Sequence, residues 1–427
     1  MANTDFLNQG GTGAATSKYN PRLGGIRGIC ASLVVLYHIA STGGVLPFVD
    51  RPGVPFWGWL FSGLELFLPP FFVLSGYLLF RPFAKASIFG TPKPSAGRFL
   101  MRRVLRLLPA YWLVMLVAIL TLNLYSVDGV WYFLRPALLL HSFDMDNWPA
   151  GIEPTWTVTT EFAFYIALPG IAWLIGRYAQ RATEPWARAR RVLVALIPLI
   201  VLGWAWHLYC SLPSVRASTM YGVSDLAFWP PHYVGQLAIG MALATLAAYA
   251  DVTGKSPRFW ELVRRRPNLC WLFALGLYLL NLAKPLGDLS GLDGWSVAQY
   301  QLDHLVALLF AGLLIAPLTV PDVRSRLADI TLTNPVTNFL GRISYGLYLW
   351  HVVILDYAVG EGNINGRTEP MNQFEIVEAG FQMGFFPLLL IVGFGTIAAA
   401  TMSYYLVEQP IIRLGHRRLG RTNEASV

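Results

Sequence analysis

Charge is what this chain has least of. Only 13% of its 427 residues are Asp, Glu, Lys or Arg, against roughly 25% in ordinary soluble domains. Hydrophobic residues make up 55%, and the mean hydropathy is +0.49. That balance excludes an ordinary soluble domain and points to a membrane protein. Cysteine is scarce as well: Cys30, Cys210 and Cys270 stand apart from one another in or beside apolar stretches, without metal-ligand or haem-attachment spacing, and are assigned to packing. No repeat of roughly 20–50 residues is present, so a solenoid or array is excluded. Acidic pairs at metal spacing, glycine-rich phosphate loops, a nucleophile elbow and HExxH are all missing, which argues against covalent serine hydrolysis and zinc chemistry.

What is present is a succession of apolar runs near the ~20 residues that a bilayer requires. They fall at 28–46, 60–80, 107–125, 155–176, 192–210, 232–250, 269–284, 303–320, 343–360 and 381–405, predicting an all-α polytopic bundle of about ten transmembrane helices. The net charge of +8 could suggest nucleic acid. The basic residues, however, fall between the runs, where lipid phosphates and the positive-inside rule account for them, and no nucleic-acid partner is expected. Alternate gaps are basic: Arg81, Lys85, Lys93, Arg98, Arg102, Arg103 and Arg106 in one, Arg177 to Arg191 in another, Lys255 to Arg266 in a third, and Arg413 to Arg421 after the last run. The intervening gaps, such as "KPLGDLSGLDGWSV" and "EGNINGRTEPMNQFE", are basic-poor. Both termini are therefore expected in the cytoplasm, with the protein in the cell membrane. Residues 1–21 are rich in Gly, Thr and Asn and read as a disordered tail, not a signal peptide. The chain divides into that tail, a membrane domain over 22–415, and a cytoplasmic tail over 416–427, with no appended soluble domain expected.

An ionisable side chain within a span costs a few kcal/mol and is a functional candidate by default. Arg27 and His38 are eleven positions apart, about 1100° at 100° per residue, which is within ~20° of three turns. They share one stripe, about 16 Å apart along the axis, with Arg27 at the cytoplasmic headgroups and His38 near mid-membrane. Taken alone, Arg27 fits a positive-inside anchor equally well, and His38 a structural hydrogen bond to a neighbouring helix. In "RFLMRRVLRLLPAYWLV", Arg103 and Arg106 lie on one face beside Arg98 and Arg102. Guanidinium forks at a membrane mouth suit polyphosphate, and anionic lipid accounts for the same charge. Thr157, Glu161 and Tyr165 follow i, i+4, i+8 spacing; Ser344, Tyr348 and His351 follow i, i+4, i+7 and reach about as deep as His38. Gly76 and Gly346 read as sites of close helix approach. His207, His232 and His304 sit near span ends without a polar stripe and read as structural. Buried His, Glu, Tyr and Arg above a basic mouth fit either transfer chemistry or a proton-coupled transporter or exporter of a lipid-linked sugar; matched broken helices in repeated halves, a transporter signature, are not seen.

In order, "LGGIRGICASLVVLYH", "FFVLSGYLLFRP", "RRVLRLLPAYW", "TWTVTTEFAFYIALP", "GRISYGLYLWH" and "YYLVEQPIIRLGHR" resemble the integral-membrane acyltransferase 3 family, which includes bacterial O-acetyltransferases of envelope glycans. The resemblance covers roughly residues 22 to 415. It implies movement of an acyl group, usually acetyl, from cytoplasmic acyl-CoA (acetyl-CoA as donor substrate, no metal) to a hydroxyl of an extracytoplasmic glycan or glycolipid. Carried over, the family's essential arginine and histidine are Arg27 and His38, and its arginine-x-x-arginine element is Arg103 and Arg106. Its glutamate is Glu161, its Ser-Gly element Ser75 and Gly76, its late serine, tyrosines and histidine Ser344, Tyr345, Tyr348 and His351, and its terminal acidic-proline element Glu408 and Pro410. The implied catalytic set is His38, Glu161, Tyr348 and His351, with Tyr348 and His351 expected to steady an oxyanion. The implied donor-binding set is Arg27, Ser75, Arg103 and Arg106. Two departures stand out. Thr160 replaces a second glutamate before Glu161, and "LFLPPFF" carries two prolines that look inserted. Many relatives also carry a fused esterase-like domain, which is not expected here.

Overall fold

A computed structural model describes residues 20–47, 55–143, 148–216, 225–286, 296–360 and 382–421. The amino-terminal tail up to residue 19, the gap 361–375 and most of the gap 284–297 lie outside the described residues, as do 422–427 of the carboxy-terminal tail. Among those described, every element is helical. The principal helices are α1 (Pro21–Thr42), α2 (Phe56–Ser62), α3 (Pro69–Phe89), α4 (Ala96–Leu122), α5 (Val130–Ala137), α6 (Trp156–Ala179), α7 (Pro185–Cys210) and α8 (Pro213–Arg216). They continue with α9 (Val234–Thr253), α10 (Arg258–Arg265), α11 (Pro267–Ala283), α12 (Val297–Thr319), α13 (Arg326–Leu332), α14 (Pro335–Val359), α15 (Phe385–Ser403) and α16 (Gln409–Arg421).

Their boundaries follow local rules. Proline opens α1, α3, α7, α11 and α14, where its missing N–H costs nothing. The Asn20 side chain accepts from the Arg22 amide at 3.1 Å, and that of Asn334 from the Thr337 amide at 3.0 Å, capping α1 and α14. The proline pair of "LFLPPFF" finds its place here: Pro69 and Pro70 begin α3 after a 3-10 turn over Gly63–Phe67, so the predicted run 60–80 is broken at its start and then continues to Phe89.

Among the described residues, eight helical segments are long and apolar enough to cross a membrane, and the protein is a multi-pass membrane protein. The predicted runs 269–284 and 343–360 correspond to α11 and α14, which fall outside that set. The first has only 17 residues, about 26 Å at 1.5 Å per residue, against a hydrocarbon core of about 30 Å. The second is diluted by Ser344, Tyr345, Tyr348, His351 and Asp356. The run 107–125 begins earlier than its apolar part, since α4 is continuous from Ala96 through Pro109 and carries Arg98, Arg102, Arg103 and Arg106 on the same rod.

Two glycine crossings fix the frame. A Cβ on Gly76 of α3 would lie 2.1 Å from the Leu237 carbonyl oxygen, and one on Gly240 of α9 would lie 2.0 Å from that of Val73, so α3 and α9 pack backbone to backbone. A Cβ on Gly28 of α1 would lie 2.5 Å from the Gly341 amide, and one on Gly341 of α14 would lie 2.3 Å from the Gly24 carbonyl oxygen. Without a hydrophobic drive between helices in lipid, such close approach is the principal source of association. Gly346 packs in the same way on Ala400 of α15.

Candidate active site

The crossing at Gly28 and Gly341 also sets the height of two histidines. His38 lies ten residues beyond Gly28 on α1, and His351 lies ten residues beyond Gly341 on α14. With α1 and α14 side by side and these equal offsets, about 15 Å at 1.5 Å per residue, the rings meet. Their centroids are 4.9 Å apart at 49°. His351 is fully buried, whereas His38 keeps part of its surface open. His351 Nδ1 is 2.6 Å from the Tyr348 carbonyl oxygen. A carbonyl only accepts, so Nδ1 bears the proton and the neutral ring leaves Nε2 as a bare acceptor. That Nε2 is buried and has no hydrogen-bond partner among the described residues.

Tyr348 is engaged elsewhere. Its hydroxyl donates to the Pro154 carbonyl oxygen at 2.8 Å, and Thr157 Oγ1 sits 3.0 Å from both of those oxygens. In this arrangement the Tyr348 proton is directed at Pro154, and the unpaired nitrogen of His351 is an acceptor. Tyr348 holds α14 to the segment leading into α6, while the His351 ring is fixed to its own helix.

Toward the basic end, Glu161 forms the next polar cluster. Ser75 Oγ donates to Glu161 Oε1 at 2.7 Å, and the Tyr165 hydroxyl donates to Oε2 at 2.9 Å. The i, i+4 stripe on α6 thus folds back on itself, and Ser75 ties it to α3. Tyr345, two turns from His351 on α14, donates to the Leu107 carbonyl oxygen at 2.9 Å, which joins α14 to α4 at the level of Pro109. Below lies the cationic cluster. Arg103 packs its guanidinium carbon 5.7 Å from the Phe99 ring centroid, its Nε is enclosed without a hydrogen-bond partner among the described residues, and it lies within Coulombic range of Glu161 and Arg106. Arg106 and Arg27 both face the charge of Glu408. Glu408 closes a single π-helical turn over Tyr404–Glu408, with Ser403 donating to it at 3.4 Å; π-turns recur at functional sites.

The candidates from the sequence therefore form one ladder. His38, His351 and Tyr348 lie at the level of the α6 start; Ser75, Glu161, Tyr165 and Tyr345 come next; Arg103, Arg106, Arg27 and Glu408 form the base. Sequence reasoning missed Thr157 and Pro154 as the partners of Tyr348. It also missed the glycine crossing, for which the Gly24-x-x-x-Gly28 spacing was an available signal. A third omission is that His207, His232 and His304 converge on one another, because they come from three separate segments.

Comparison with known proteins finds several relatives of the chain. Nodulation protein 10 of Rhizobium leguminosarum bv. viciae is 24% identical over 405 residues, covering 84% of this chain and 88% of that protein. The putative peptidoglycan O-acetyltransferase YrhL of Bacillus subtilis is 26% identical over 429 residues, covering 95% of this chain and 56% of its own length. For the peptidoglycan O-acetyltransferase OatA of Listeria monocytogenes the identity is 24% over 357 residues, with 79% and 50% covered. The chain spans about half the length of these last two. No solved structure matches the chain significantly. The family model described as "Acyltransferase domain" matches residues 20–412, a span that takes in every rung of the ladder, and the chain belongs to the acyltransferase 3 family of integral-membrane acyltransferases.

Proposed function

We propose that the protein transfers an acyl group, acetyl by preference, from cytoplasmic acyl-CoA to a hydroxyl of an extracytoplasmic envelope glycan or glycolipid. The observation that carries this reading is the His38–His351 pair, held at one height by the Gly28–Gly341 crossing, with His351 Nε2 left as a bare acceptor. A hydroxyl is a weak nucleophile at neutral pH, and a positioned imidazole that removes its proton contributes typically 10²–10⁴-fold. His38, the ring with open surface, takes that proton as the hydroxyl oxygen attacks the thioester carbon. The C–S bond breaks, and the departing thiolate of CoA takes the proton back from the imidazolium. His351 orients His38 and accepts a hydrogen bond from it while it is protonated. Arg103 and Arg106 receive the CoA phosphates, for which an enclosed guanidinium nitrogen lacking a partner is suited. Arg27 and Glu408 brace that mouth, and Ser75, Glu161 and Tyr165 line the path between the two ends. The membrane domain spans 22–415 in this reading, with both termini in the cytoplasm and the protein in the cell membrane. The peptidoglycan acetyltransferases among the relatives support an envelope polymer as acceptor.

The test is CoA release from acetyl-CoA by the purified protein in lipid nanodiscs, with and without an envelope extract, for wild type and His38→Ala. Acceptor-dependent release that disappears in the variant is expected. If CoA is neither bound nor released in any extract, while His38→Ala alters proton or solute flux in liposomes, the transfer reading is overturned in favour of transport.

A further inference from the structure

At the end of the bundle opposite the arginines, three histidines meet. His207 is on the last turn of α7, His232 is in the 3-10 turn Pro230–Tyr233 that opens into α9, and His304 is on the second turn of α12. All three are buried, at 9%, 9% and 4% exposure. The rings of His207 and His304 are stacked at 4.1 Å, and the ring of His232 stands edge-on to both, at 4.7 and 5.7 Å. One nitrogen from each residue can be chosen so that all three lie within 4.8 Å of one another.

The hydrogen bonds show how the nitrogens are prepared. His207 Nε2 is 3.0 Å from the Tyr300 carbonyl oxygen, so it bears the proton and Nδ1 presents a lone pair. That Nδ1 is 3.0 Å from His232 Nε2, which must therefore be the donor, leaving His232 Nδ1 bare. His232 Nδ1 and His304 Nε2 are both buried without a hydrogen-bond partner among the described residues. Buried polar atoms are nearly always paired, so a cluster with two orphaned nitrogens is incomplete as a hydrogen-bond network. A metal held by His207 Nδ1, His232 Nε2 and His304 Nε2 gives the buried His304 Nε2 the partner it lacks. An imidazole that ligates through one nitrogen characteristically donates the other N–H to a carbonyl, as His207 does to Tyr300. Tetrahedral coordination with metal–nitrogen bonds of about 2.0–2.1 Å places ligand nitrogens about 3.3 Å apart, close to the 3.0 Å already present between His207 and His232. His232 moves its proton from Nε2 to Nδ1, so no net charge is lost on binding.

We propose that His207, His232 and His304 bind one divalent first-row transition-metal ion of the zinc class, through three imidazoles with a fourth position left for solvent. Imidazole ligands suit zinc, copper and nickel and disfavour magnesium and calcium. The site is separate from the acyl-transfer ladder, which needs no metal. It joins α7, α12 and the turn before α9, and Tyr233, next to His232, stacks on Trp156 and Phe72 at 4.7 and 4.8 Å. A metal there fastens the wall on which α6 begins.

The experiment uses the full-length protein purified through a tag without histidines, stripped with chelator, and titrated with Co(II) and Zn(II) in nanodiscs. Wild type is expected to show the visible absorption of tetrahedral Co(II), to retain about one zinc per chain after desalting, and to unfold at a higher temperature with zinc than without. His232→Ala and His304→Gln should each lose the band, the bound zinc and the zinc-dependent shift, while His38→Ala should keep all three. Wild type with no Co(II) band and no retained zinc overturns the proposal even if every variant misfolds. So does unchanged zinc retention in both histidine variants.

Discussion

Replacing Gly341 by alanine tests whether helix crossing, and not side-chain identity alone, builds the active site. A Cβ at this position would stand 2.3 Å from the Gly24 carbonyl oxygen, where ordinary contact begins at 3.4 Å. The obstructing atom is backbone and cannot rotate away, so α1 and α14 must separate by about 1 Å, an overpacking that costs typically 1–3 kcal/mol. That is well below a typical folding free energy of about 5–15 kcal/mol, so the protein should remain folded in the bilayer. The same displacement carries to the His38–His351 pair ten residues further along both helices. A misplacement of about 1 Å between reacting groups can cost about 10²-fold in rate. Acceptor-dependent CoA release by Gly341→Ala should therefore fall about 10²-fold, in a sample whose elution and thermal unfolding stay close to wild type. Gly170→Ala and Gly393→Ala are the controls, since a Cβ at either meets nothing within 4 Å; both should behave as wild type. If Gly341→Ala turned over at the wild-type rate, the crossing would not set the geometry and the argument built on it would fail.

Three further outcomes follow from the contacts. Tyr348→Phe removes a donor to Pro154 that the Thr157 hydroxyl, 3.0 Å from the same oxygen, can replace; the cost of about 1 kcal/mol should lower kcat by less than about tenfold, and a loss as complete as that in His38→Ala would put the Tyr348 hydroxyl in the reaction itself. Arg103→Ala should raise the KM for acetyl-CoA by about 10- to 100-fold, as expected for a charge-assisted hydrogen bond of about 1.5–3 kcal/mol, with kcat little changed; an unaltered KM would remove Arg103 from donor binding. On α10, outside the spanning segments, hydrogen bonds from Arg264 at 2.8 Å and Arg265 at 2.7 Å hold the Glu261 carboxyl down at about 2. A depressed carboxylate supports the folded helix above its ordinary value of 4.5 and loses that support as the pH falls toward 2. Amide exchange in α10 should accelerate over that window in wild type, beyond its intrinsic pH dependence, and show no such step in Glu261→Gln.

Much of this protein was legible in its sequence, wherever the physics is local to one helix. Composition set the solvent, and apolar run length located the spans. The 3.6-residue period placed Arg27 and His38 on one stripe, and it placed Glu161 one turn from Tyr165, where the hydroxyl now donates to the carboxylate. The runs were misjudged where local signals competed. Pro69 and Pro70 sit inside an apolar stretch and yet start a helix, and the polar stripe of α14 lowers the hydropathy of a helix that packs at the centre of the site.

Only the tertiary structure decided which stripe meets which. His38 and His351 belong to opposite ends of the chain, and no periodicity within α1 or α14 names the other. The same holds for Ser75 on Glu161, for Thr157 on Tyr348, and for the three histidines at the far end of the bundle. In water, a helix turns its apolar face inward and so announces its orientation. In lipid, both faces are apolar and the choice falls to close backbone contact and buried polar pairs. Here that choice rests on positions such as Gly28 against Gly341, which mean nothing until the two helices are side by side.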